Sequence, residues 1–181
     1  MFAALRDTLA HLAELAGPGR TADRDWALDA GQRIQAQLAG LQEARSTARQ
    51  VASLAPRHWP ERSRVRQAGE QTAPLQLLAA TVVSLAHAST AGSAAQLPPP
   101  PAVREVLGEL TSACAALAEG GCSSATRAAR HAARARELIT GAAQASGPHT
   151  QLIARLVETC AGDTLRLTGN LAAGCCYPAT R

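Results

Sequence analysis

Three arginines and one histidine form the pattern best suited to chemistry in this chain of 181 residues. Arg127, Arg130 and Arg134 are spaced at i, i+3 and i+7, and His131 lies among them. On an α-helix this spacing places the side chains along one side. A guanidinium group matches the geometry of a carboxylate or phosphate. The stripe could therefore bind an organic anion. The other interpretation, which we favour, is a helix face that simply meets solvent.

A second basic cluster surrounds Trp59. Its members are Arg57, His58, Arg62, Arg64 and Arg66. A tryptophan among arginines can lie at a membrane surface. It can also close the end of a helical bundle with its ring buried, and we favour that interpretation.

Nothing in the sequence points to catalysis. There is no Gly-rich phosphate loop, no G-x-S-x-G and no H-E-x-x-H. The five histidines are scattered, and none has metal-ligand spacing with Cys or Asp. Vicinal Cys175 and Cys176 could bind a soft metal or form a strained disulfide, but we expect them in a flexible tail. We therefore expect no catalytic residue, no metal, no cofactor and no enzyme activity.

The composition favours helices. Hydrophobic residues make up 46% of the chain, but aromatic residues only 2%, and the apolar residues are mainly Ala and Leu. All 18 basic residues are Arg and the net charge is +4, with almost no aromatic side chains for base stacking. This argues against a nucleic-acid partner. Five cysteines without regular spacing favour a reduced, cytoplasmic setting, and no signal peptide is recognisable.

Periodicity and breakers divide the chain into helices. We predict helices near 2–16, 23–54, 73–89, 102–118, 125–145 and 149–167, separated by Gly and Pro. The fold class is therefore all-α, an antiparallel bundle of about six helices. Residues 1–170 form one domain, and 171–181 a flexible tail. The prolines at 98–101 indicate a stiff connection, with a ligand for proline-recognition domains as the alternative.

The stretch 73–89 is expected to lie at the centre of the bundle. Leu75, Leu78, Val82 and Leu85 recur at helical spacing, and no charge occurs between Gln71 and Val103. A membrane-spanning helix is the alternative, but several Ser, Thr, Gln and His residues make this stretch too polar for one.

The second helix is longer than the others. Part of it is expected to project beyond its own bundle, and the apolar positions among Leu38, Leu41, Ala48 and Val51 would then need another chain to cover them. We therefore expect a two-fold homodimer. A monomer is the alternative.

Two segments resemble a known family. APRHWPERSRVRQAGEQ followed by LQLLAATVVSLAHA, and later QLIARLVETCAGDTLRLTG with Asp163 and the close Leu165–Gly169, are similar to the cytosolic C-terminal domain of actinobacterial aromatic acid exporters of the fusaric acid resistance (FUSC) type. The resemblance covers about residues 20–170. It departs at Ala79–Val82, where relatives carry polar or Arg residues, and it lacks their transmembrane half.

This resemblance implies a cytoplasmic, non-enzymatic domain that serves assembly or regulation of an aromatic or organic acid exporter. Its partners would then be the membrane portion of the exporter, or the inner face of the plasma membrane. The alternative function is a sensor or carrier that binds an organic anion near Arg127, Arg130, His131 and Arg134.

Overall fold

The structure, a computed structural model, describes residues 1–17, 23–54, 72–94, 101–142 and 148–175. These residues form six α-helices and no β-strand. The helices are α1 (Phe2–Leu15), α2 (Arg24–Leu54), α3 (Thr72–Ala94), α4 (Pro101–Glu119), α5 (Cys122–Ala142) and α6 (Pro148–Cys175). The prediction of an all-α bundle of about six helices is confirmed.

Five of the helices pack around a ring in the order α1, α4, α5, α6, α3, and α2 lies against α3 and α1. α4 and α6 also meet across the middle. α3 and α4 follow each other in the sequence, yet α1 lies between them. α1 does so by burying Leu5, Leu9 and Leu12, each at most 2% exposed. The N-terminal helix therefore closes the ring.

Small side chains hold α5 close to its neighbours. Ala128, Ala132 and Ala135 are fully buried between α4 and α6. Leu138 is half-buried and Ile139 is buried near the end of the same helix. This helix therefore packs mainly through alanine. Its polar residues are thereby carried close to those of α4.

One face of α3 remains exposed. Leu78, Val82 and Leu85 are buried, but Leu77 is 55% exposed and Ser84 and His87 also face solvent. The expectation that this helix is enclosed on nearly all sides is therefore wrong for one face. The physical reason is its position, because α6, α1 and α2 cover only the other sides.

The long helix α2 packs through its first half. Ala27, Ile34 and Leu38 are buried there, and a Cβ added to Gly31 would lie 3.5 Å from Val83 of α3, so the two helices approach closely. Beyond Leu38 every residue to Val51 is exposed except half-buried Arg45. The second half of α2 thus extends past its contacts with the other described helices, as the sequence suggested.

The helix ends follow local chemistry, with one correction. Asp23 caps α2 by accepting a hydrogen bond from the backbone N–H of Asp25 at 3.0 Å. Pro101 is the first residue of α4, where a missing N–H costs nothing. The helix predicted to start near residue 125 begins at Cys122 instead, so Ser123 and Ser124 lie inside α5.

Some predictions fall at or beyond the edge of the described residues. α6 continues to Cys175, so it includes the first residues assigned to the tail. The basic cluster around Trp59, the prolines at 98–100 and Cys176 lie outside the described residues.

Candidate functional site

A tight turn between α4 and α5 sets the geometry of the predicted arginine site. Gly120 and Gly121 have φ angles of 73° and 87°. These angles lie in the left-handed region, which glycine adopts easily because glycine has no Cβ. The turn sends α5 back alongside α4. α4 carries three glutamates and one arginine, whereas α5 carries four arginines and one glutamate. The hairpin therefore brings an acidic helix against a basic one.

Arg127 faces the end of α4. Its guanidinium group donates a hydrogen bond to the Glu119 carboxylate and pairs with it as an ion pair. It also donates to the Ser124 hydroxyl at 3.3 Å. Ser124 is buried and donates in turn toward Glu119. The first predicted anion ligand thus already has a carboxylate partner within the chain.

His131 lies one turn further along α5 and also faces α4. Its Nδ1 is 2.7 Å from Oε2 of Glu109. The two side chains are 35% and 28% exposed, so water reaches the pair only in part. We call Glu109, Glu119, Arg127 and His131 the α4–α5 seam. It joins the helices by two polar contacts about two to three helical turns apart along α4.

The other two predicted ligands face outward. Arg130 is exposed and makes no ion pair within the described part of the chain. Arg134 pairs at 3.4 Å with Glu137 of its own helix, and both side chains are more than half exposed. An exposed pair of this kind contributes little to stability and is easily opened by a competing anion. Arg130 and Arg134 are therefore the guanidinium groups open to a ligand.

The predicted cluster is thus divided by the fold. Arg127 and His131 are held by carboxylates of α4, and an incoming anion would have to displace Glu119 or Glu109. The sequence interpretation missed both glutamates because it treated the helices one at a time. The available signal was the opposite charge of the two helices flanking Gly120-Gly121, since a short turn makes such helices antiparallel neighbours.

A second polar feature lies on α6. Asp163 is 2% exposed, and its Oδ1 accepts a hydrogen bond from Arg166 at 2.9 Å. Thr164 and Thr168 are also buried, and their hydroxyls donate to backbone carbonyls of the same helix. Such local bonds satisfy polar groups that would otherwise be costly to bury. These residues belong to the segment on which the family resemblance depends.

The cysteines have different environments. Burial raises the pKa of the Cys114 thiol to about 12 and raises that of Cys160 as well. Both are free thiols in the core. A protonated, buried thiol is a poor nucleophile and metal ligand. Cys122, by contrast, takes part in a disulfide, and its partner is neither Cys114 nor Cys160. The sequence had favoured a reduced state for the cysteines.

Two kinds of feature are absent from the described residues. No group of three or more His, Cys, Asp or Glu side chains is arranged to hold a metal ion there. None of the six described helices is both long enough and apolar enough to cross a membrane.

Sequence comparison identifies relatives of known name. The chain is 36% identical over 168 residues to proteins named "Putative arylamide transporter" from Mycobacterium tuberculosis and from Mycobacterium bovis. The matched region is 92% of this chain and 46% of each relative. The chain therefore spans about half the length of the curated relatives that it matches. No family model and no solved structure matches it.

Proposed function

We propose that this chain is a non-enzymatic helical domain of an exporter-like protein for aromatic or other organic acids, which serves assembly or regulation at the cytoplasmic face of the membrane. The observation that carries the proposal is 36% identity along 92% of the chain to proteins named as transporters. The similarity to the FUSC-type cytosolic domain points in the same direction. Packed helices without a metal-binding cluster, in the part described, suit a scaffold of this kind.

Transport assays in the source cells can test this role. Deleting the coding region for residues 1–175 from its natural reading frame should increase the accumulation of a radiolabelled aromatic acid such as benzoate. Restoring the wild-type chain should reverse the effect. Restoring Leu78→Asp, which is expected to unfold the bundle, should not. Unchanged accumulation across several aromatic and aliphatic acids would contradict the proposal.

Fractionation tests the location separately. If the chain works with a membrane exporter portion, it should sediment with plasma membranes from native cells and resist extraction at high salt. The membrane-associated chain should be digested by protease only after inside-out vesicles are made. Recovery in the soluble fraction alone would contradict a membrane-associated role.

A second candidate function is the binding of an organic anion on α5. The observation favouring it is that Arg130 has no ion pair within the described residues and that Arg134 holds only an exposed one. Calorimetric titration with benzoate should then give measurable heat that disappears in the double variant Arg130→Gln/Arg134→Gln. Arg155→Gln, an exposed substitution on α6, is the matched control. Equal heats for both variants would rule out this site.

A further inference from the structure

The second half of α2 presents an apolar stripe to solvent. Leu41, Ala44, Ala48 and Val51 are all exposed, and their spacings of three, four and three residues place them on one side of the helix. Leu41 is 37% and Val51 60% exposed. This is the spacing of a coiled-coil seam. No described helix packs on the stripe, since the buried residues of α2 end at Leu38.

The acidic and basic residues near this stripe lie on opposite sides of it. Because successive residues of an α-helix are rotated by about 100°, Glu43 falls on one flank of the stripe, and Arg45 and Arg49 fall on the other. In an antiparallel two-fold pair, the same flank of both copies would meet, so the arginines of one copy would face the arginines of the other. In a parallel two-fold pair, the acidic flank of one copy lies beside the basic flank of the other. Like charges repel, so the sequence of the stripe favours the parallel pair.

From the stripe and its flanks we infer that residues 41–51 of α2 are a homodimer surface, on which a second copy of this chain pairs in parallel. Leu41 and Val51 form its apolar ends, and the alanines between them let the helices approach closely. Glu43 of each copy lies beside Arg45 and Arg49 of the other. This surface is separate from the proposed transport role and from the arginines of α5, so the two proposals fail independently.

Sedimentation equilibrium of the full chain at micromolar concentration tests the inference. Wild type should show twice the monomer mass of 18.7 kDa. Leu41→Asp should give monomers at the same concentrations and keep the helical circular dichroism, because Leu41 lies outside the packed core. Glu43→Arg should weaken the dimer at least tenfold. Glu158→Arg, an equal charge reversal at an exposed position of α6, should leave it unchanged.

Charge reversal on the other flank completes the design. The double variant Arg45→Glu/Arg49→Glu should be monomeric alone, and mixing it with Glu43→Arg should restore a dimer containing one copy of each. A monomeric wild type would overturn the inference. A dimer that survives Leu41→Asp would exclude this surface, and one that Glu43→Arg leaves unchanged would exclude the parallel arrangement.

Discussion

Asp163 is the one buried charged side chain in the described residues, and its ion-pair partner lies in solvent. The carboxylate is 3% exposed, whereas the Arg166 side chain reaching it from one turn away is 71% exposed. A buried charge requires hydrogen bonds or an opposite charge. The arginine therefore brings compensation from the surface to a carboxylate that water cannot reach freely.

Replacing Arg166 by Ala should destabilise the domain by about 1–2 kcal/mol, because Asp163 loses a charge-assisted hydrogen bond. This loss of stability is at the low end for a hydrogen bond to a charged group, because the Arg166 side chain is itself well hydrated in the folded protein. Arg155→Ala, on an exposed position of α6, should change stability by less than about 0.5 kcal/mol. Urea denaturation measures both. Equal stabilities for the two variants would mean that Arg166 does not compensate Asp163.

The core thiols give a pH-dependent prediction. In the unfolded chain the pKa of Cys114 is near 9.0, and burial raises it to about 12 in the folded protein. The folded state therefore keeps a proton that the unfolded state releases, so stability should fall as pH rises from about 9 to 12. The slope is at most about 1.4 kcal/mol per pH unit for each thiol. Burial raises the pKa of Cys160 in the same direction.

Denaturation between pH 8 and 11 checks this, with Cys114→Ala/Cys160→Ala as the comparison, since that variant should lose part of the slope. Iodoacetamide at pH 8 should leave Cys114 and Cys160 unlabelled in the folded chain and label both in guanidinium chloride. Rapid labelling without denaturant would show that the core opens.

At the scale of elements, α3 shows how much periodicity can and cannot predict. The helix itself was predictable, because Leu75, Leu78, Val82 and Leu85 recur at helical spacing. Its exposed face was not, since Leu77 lies there beside Ala and Ser residues, and none of these residue types distinguishes inside from outside. The carboxylates of the α4–α5 seam were missed for a related reason. Contacts between helices depend on which helices are neighbours, and single-helix patterns do not contain that information.

Two adjacent leucines on α3 provide a matched test of this exposed face. Leu78 is 1% and Leu77 is 55% exposed. Leu78→Asp should unfold the domain, because an unpaired charge would be buried in the core. Leu77→Asp should keep the helical circular dichroism and shift stability by less than about 1 kcal/mol. If Leu77→Asp also unfolded the chain, the face would be covered rather than exposed.

At the scale of the whole molecule, the ring depends on its first helix. α1 packs on α4 and α3, which have little direct contact with each other. The sequence indicated a helix at residues 2–16 but not its place, because an apolar face shows that a helix is buried and not which helices bury it. α2 lies against another side of α1, where Trp26 of α2 meets His11 of α1 with ring centroids 4.3 Å apart and ring planes tilted by 40°.

Shortening the central leucine of α1 should therefore weaken the entire bundle. Leu9→Ala should cost about 2–5 kcal/mol, because Leu9 is 1% exposed and its removal leaves a cavity between α1 and α4. Leu15→Ala, at a half-buried position at the end of α1, should cost distinctly less. Thermal unfolding should remain a single transition in both variants. A separate early transition would show that α1 folds independently of the ring.

The closure of the ring by α1 also affects the order of events on the ribosome. The chain emerges from its N-terminus, so Leu5, Leu9 and Leu12 are synthesised well before α4, the helix that buries most of them. At roughly 5–20 residues per second, several seconds pass between the two. During that interval the nascent chain carries an uncovered leucine face. Such a face is suited to early capture by a chaperone, because it stays uncovered until α4 has been translated through Glu119.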